Sequence, residues 1–192
     1  MSKDNKAASK AAPWDKGYCA PDPLYAPEQA ALMARLRNDV SGRLWGKRLK
    51  HSFGVAATAL WLARRCGADE FEAEAAGLLH DWDKKLSSEE LWGKVDEYGI
   101  DVPRVDGALP VLHGLTAAAS LPRDYPELGA EVFQAIARHT TGAPGMTDLD
   151  MVVYVADMIE PGREGGFVDD IRKLACTAPL RQVYAECVRV GL

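Results

Sequence analysis

KHSFGVAATALWLARRCGAD, residues 50–69, carries one apolar stripe at helical spacing, and that period sets the fold class. His51 lies in line with Leu44, Val55 and Leu62, and Gly67 supplies the stop. The same period continues on both sides of this stretch. From Pro27 onward it predicts helices over 28–41, 43–66, 70–82, 88–98, 112–121, 127–139, 148–159, 168–176 and 180–190. Ser87 followed by Glu90 reads as a capping box that opens the fourth, and Gly99 as its end. No stretch alternates apolar and polar residues long enough to make a strand. The expected architecture is all-α, with short connections.

The chain has 192 residues, 47% hydrophobic and 27% charged, a composition suited to one globular core. Residues 1–26 stand apart. Ala, Lys and Ser dominate there, and Pro13, Pro21, Pro23 and Pro27 break any helix. They are expected to form a partly mobile extension, with Trp14, Tyr18 and Tyr25 able to dock on a single domain spanning 27–192.

Lys and Arg total 23 against 28 Asp and Glu, a net charge of −5, which excludes a strongly basic nucleic-acid binder as the default. No run of 18 apolar residues offers a membrane span, and the first residues lack the apolar core of a secretory signal. Cys19, Cys66, Cys176 and Cys187 show no metal-binding or redox spacing, so free thiols and a cytoplasmic location are expected.

The four histidines carry the chemistry. His51, His80, His113 and His139 each fall on a helix face that is apolar or built of small residues. Around His80 the small residues are Ala73, Ala76 and Gly77, which let neighbouring helices come close. Two acids share the inward placement: Asp81, directly after His80, and Asp157 in the apolar run LDMVVYVADMI. One histidine on an apolar face is usually a satisfied core residue. That explanation must here hold for every histidine in the chain and for two buried-face carboxylates, which are costly without a cation. Imidazole with carboxylate and no thiolate suits a divalent metal such as Fe, Mn, Co, Ni or Zn, and argues against a structural zinc.

The order His51, then His80-Asp81, then Asp157 resembles the HD-domain metal phosphohydrolases. KHSFGVAATALWLARRCGAD (50–69), AGLLHDWDKKL (76–86), ARHTTGAPGMTDLD (137–150) and YVADMIEPGR (154–163) are similar to the YqeK branch of that superfamily. The likeness runs from about residue 43 to 176 and leaves the N-terminal segment without a family reading.

The resemblance implies an HD-type helical bundle and symmetrical hydrolysis of diadenosine tetraphosphate to two ADP. It implies two divalent metal ions, commonly iron, with Mn, Co, Ni, Zn or Mg as other occupants. On the matching positions His51, His80, Asp81 and Asp157 would hold one ion. Asp81, His113 and His139 would hold the other, with Asp81 bridging. A hydroxide held between the ions would attack an inner phosphorus. Lys84 and Arg163 would be the catalytic cations that meet phosphate oxygens. Thr140, Thr141 and Gly142 would add substrate contacts, and Glu160 would orient Arg163 or a ligand histidine. A homodimer is compatible with the sequence; neither nucleic acid nor membrane is expected as a partner. Two alternatives stay open: another HD nucleotide phosphohydrolase (nucleotidase or phosphodiesterase), and a non-catalytic nucleotide-binding module.

Overall fold

The apolar stripes close on one another as nine α-helices among the residues that this computed structural model describes, 11–19 and 22–191. They are α1 (Pro27–Arg43), α2 (Gly46–Cys66), α3 (Glu70–Leu79), α4 (Ser88–Glu97), α5 (Leu109–Asp124), α6 (Ala130–Arg138), α7 (Asp148–Ile159), α8 (Gly166–Ala175) and α9 (Leu180–Gly191). One 3-10 turn, Asp106–Ala108, precedes α5, and no strand occurs among the described residues. No helix there is long and apolar enough to cross a membrane.

The short α3 is the hub. It packs on α1, α2, α6 and α7, and Phe71, Ala73, Ala76, Leu78 and Leu79 are all buried. Its small residues matter as expected. A Cβ on Gly77 would stand 2.8 Å from the Cα of Ala56, so only glycine lets α2 and α3 approach this closely. A Cβ on Gly114 of α5 would likewise stand 2.9 Å from the carbonyl oxygen of Ile136 at the end of α6. These two close approaches draw α2, α3, α5 and α6 together around the histidines.

Ser87 and Glu90 form the expected capping box at α4, and Gly67 ends α2 with φ 80°. Several helix ends differ from expectation: α2 and α6 start three residues late, at Gly46 and Ala130, and two further departures bear on the site. Helix α5 starts at Leu109 rather than 112 and runs to Asp124. Pro110 sits in its first turn, where a missing N–H forfeits no helical bond. Helix α3 stops at Leu79 rather than 82, and the chain continues in successive tight turns through HDWDKK.

Those turns are held by charge. Asp83 is fully buried and meets Arg43 of α1 at 2.8 Å and Lys94 of α4 at 2.6 Å. Arg43 also donates from Nε to the Trp82 carbonyl at 2.6 Å. Lys94 donates on to the Ser120 hydroxyl of α5 at 2.8 Å. The segment after His80 is thereby tied to three helices, and continuing α3 would break those pairs.

The N-terminal segment docks where it is described. Ala12 is fully buried, Trp14 packs edge-on against Trp61, and the Trp61 indole donates to the Ala11 carbonyl at 2.9 Å. The Tyr25 hydroxyl donates to Glu74 at 2.6 Å. Of the extension expected to be partly mobile, residues 1–10, 20 and 21 lie outside the described residues.

Candidate metal centre

Two of the four histidines sit at helix C-caps, where the last carbonyls have no helical donor. His80 caps α3 and faces the Gly77 carbonyl from Nδ1 at 2.7 Å. His139 caps α6 and does the same with the Ile136 carbonyl, also at 2.7 Å. A carbonyl oxygen can only accept, so each ring carries its proton on Nδ1 and turns an Nε2 lone pair inward.

His51 of α2 is arranged to the same end by a carboxylate. Its Nδ1 stands 3.1 Å from Oε1 of Glu160, the residue that caps α7. Its Nε2 lies 3.1 Å from His80 Nε2, 3.1 Å from Asp157 Oδ1 and 3.6 Å from Asp81 Oδ2. On the other side of Asp81, His113 Nε2 lies 3.2 Å from Oδ1 and 3.1 Å from His139 Nε2. The two oxygens of Asp81 therefore look toward different histidine pairs. His80, His113, His139 and Asp81 are almost completely buried; His51 and Asp157 are partly exposed.

This donor set suits a cation. The ligand atoms of two further imidazoles, His51 and His139, and of two carboxylates, Asp81 and Asp157, gather within 4.8 Å of that of His80. The six side chains form three overlapping groups whose ligand atoms lie within 4.8 Å of one another: His51–His80–Asp81, His80–His139–Asp157 and Asp81–His113–His139. Nitrogen and oxygen donors converging in this way fit divalent metal ions. All six residues singled out in the sequence as metal ligands meet here, from α2, α5, α7 and the ends of α3 and α6.

The protonation states bear the same mark. Burial lowers a histidine's pKa, but at His51 hydrogen bonds donated to Asp157 and Glu160 more than reverse that, to about 9. His139, buried beside His80, drops to about 3. Burial lowers His80 as well. At Asp81 burial would raise the carboxyl, yet His80, His113 and Lys84 hold it well below the ordinary range.

Cations crowd the rim. Lys84 places Nζ 4.0 Å from Asp81 Oδ1 and 3.3 Å from His113 Nε2. Arg163 holds Asp157 through two contacts, Nη2 to Oδ1 at 2.5 Å and Nε to the carbonyl at 2.8 Å. Arg48, one turn before His51, donates to Asp81 Oδ2 at 2.7 Å. A cavity of about 780 Å³ opens here, lined by Lys47, Arg48, Lys50 and Arg163 together with His51 and Glu160. Arg48 is not among the residues singled out in the sequence, although its three-residue spacing from His51 marks it as a neighbour on the same helix face.

Thr140, Thr141 and Gly142 follow His139 directly. None lines that cavity. Thr141 donates to the Gly142 carbonyl at 3.0 Å, and Gly142 abuts Tyr184 of α9. The Thr140 hydroxyl is buried without a hydrogen-bond partner.

Comparison with known proteins points to one family. Residues 48–162 match the HD domain. The chain is 38% identical over 150 residues to the symmetrical bis(5'-nucleosyl)-tetraphosphatase of Bacillus subtilis, covering 78% of this chain and 80% of that one. It is 38% identical over 129 residues to the protein of the same name from Staphylococcus aureus, covering 67% and 66%. Among solved structures, an HD superfamily hydrolase described as involved in NAD metabolism, from Clostridium acetobutylicum, superposes with a TM-score of 0.70 at 34% identity, covering 78% of this chain and 79% of that one.

Proposed function

Because this chain belongs to the HD-domain family, and within it to the YqeK-type symmetrical bis(5'-nucleosyl)-tetraphosphatases, we propose that it hydrolyses diadenosine tetraphosphate to two ADP. The observation that carries this is the shared carboxylate: the two oxygens of Asp81 face separate histidine pairs, under a cavity rimmed with cations. His51, His80, Asp81 and Asp157 would hold one divalent ion, and Asp81, His113 and His139 the other. Such ions cancel phosphate charge and make water a competent nucleophile at neutral pH. Iron is the occupant the family resemblance points to, and the donor set suits Mn, Co, Ni or Zn as well.

The protein's own groups supply the rest. Arg163 can offer a phosphate two parallel hydrogen bonds, and Lys84 a compact charge beside Asp81. Arg48, Lys47 and Lys50 extend the cationic rim, so the cavity attracts a polyphosphate although the whole chain carries −5. Water adds to one inner phosphorus, the bond to the oxygen bridging the two inner phosphates breaks, and two ADP leave with release of a proton. The leaving group is a phosphate anion, so no separate strong acid is needed.

Product analysis tests this directly. Two ADP per diadenosine tetraphosphate is the expected outcome. AMP with ATP, or cleavage of a different nucleotide alone, would replace it with one of the other HD activities. In the same assay Asp81→Ala should abolish turnover and release both metal ions. Lys84→Ala should raise KM while leaving metal content intact.

A further inference from the structure

One carboxylate beside the centre belongs to none of the metal-competent groups, yet it is as deeply placed as the ligands. Glu160 is almost fully buried at the end of α7. It touches His51 on Nδ1, the ring nitrogen that faces away from His80, Asp81 and Asp157. Its second oxygen accepts from the backbone N–H of Gly162 at 2.6 Å. Its own carbonyl is gripped by Arg172 of α8 at 2.5 Å, and Arg172 Nε also reaches the Ile159 carbonyl at 3.0 Å. Every polar atom of the Glu160 side chain is thus committed.

The packing around it is shaped to admit it. Gly54 lies one turn after His51 on the same face of α2. A Cβ at Gly54 would stand 2.5 Å from Glu160 Oε2 and 3.4 Å from Pro161 Cδ. Any side chain there would push the carboxylate off the Gly162 N–H, off His51, or both.

We infer that Glu160 is a positioning residue for the metal centre: it fixes His51 with its proton on Nδ1 and Nε2 presented inward, and Gly54 is the notch that admits it. This does for His51 what the Gly77 and Ile136 carbonyls do for His80 and His139. A carboxylate partner also makes the imidazole a stronger donor than a carbonyl partner does. Glu160 is therefore expected to strengthen the ion held by His51 and to leave the His113–His139 side alone.

The inference rests on the two-metal reading above, and one experiment separates them. Metal-stripped full-length protein is titrated with Mn²⁺ in a calorimeter without nucleotide, for the wild type, Glu160→Ala, Gly54→Ala and the double variant. Two ions are expected to bind the wild type. Glu160→Ala should weaken one of them about ten- to hundredfold and leave the other within threefold. Gly54→Ala should weaken the same ion while keeping the carboxylate in the chain. In the double variant Gly54→Ala should add no more than threefold to Glu160→Ala, because both act through one contact. If Glu160→Ala fails to fold, Gly54→Ala alone decides: it must weaken one ion and spare the other. Wild-type protein that binds no Mn²⁺ removes the metal centre and this inference together. Wild-type protein with two ions, and variants that bind both equally well or lose both equally, overturns this inference alone.

Discussion

His51 faces three carboxylates, and that crowding gives it a pH signature. Burial opposes its charge, but Asp157 and Glu160 hold the proton to about pH 9. Without metal, His51 therefore carries a positive charge at neutral pH, and an incoming ion must displace that proton. His139, at about 3, has no proton to give up there, and the Asp81 and Asp157 carboxyls are ionised. Metal affinity is thus expected to rise about tenfold per pH unit between pH 7 and 9 and to flatten above. Titrations at pH 7, 8, 9 and 10 check this; a flat profile would mean that His51 is neutral without metal. The same groups shape the stability of the metal-free fold. The raised value at His51 contributes stability that is present below about pH 6.5 and lost as pH rises through 9. The lowered value at His139 acts in the opposite sense: its contribution is present above about pH 6.5 and lost as pH falls toward 3. Considering these two histidines alone, metal-free stability should peak near pH 6.5.

Among the elements, the turns after α3 are the most demanding to hold. They carry Asp81 into the centre and Lys84 to its rim, and they lack a helical ladder of their own. Asp83 anchors them, fully buried between Arg43 and Lys94. Lys94→Met would leave that carboxylate with Arg43 alone in a site shut off from water. A loss of about 3 kcal/mol in denaturant unfolding is expected. A change below about 0.5 kcal/mol would show that Arg43 suffices. The end of α6 has a comparable clamp. Asp150, in the first turn of α7, closes a capping box with Thr147 and holds Arg138 at 2.8 Å, which fixes the chain on either side of His139.

Across the whole molecule, bound metal would join helices that packing and a few ion pairs, such as Arg138 with Asp150, already hold together. The donors come from α2, α5, α7 and the ends of α3 and α6, and the unfolded chain cannot assemble them. Binding is therefore linked to folding. At metal concentrations about a hundredfold above Kd each bound ion would add about 2.7 kcal/mol. For a chain of this size chelation should lower Tm by about 5–10 °C for each ion removed, measured by thermal unfolding with and without EDTA. An unchanged Tm would place the donors too far apart to share an ion.

The helical period alone determined the all-α class, nearly every helix, and the six inward-facing polar residues that converge, because buried imidazoles and carboxylates on apolar faces have few explanations. Local chemistry also announced the caps at Ser87 and Gly67. What periodicity could not supply is direction and distance across the chain. The carbonyls that aim His80 and His139 lie only three residues back, but Glu160 reaching back to His51 and Asp83 locked between α1 and α4 are contacts between segments up to 109 residues apart. Only packing sets such distances. The spacing of a few ångströms that brings six polar side chains within reach of a shared ion comes from small residues such as Gly77 and Gly114, which let helices touch where a larger residue would hold them apart.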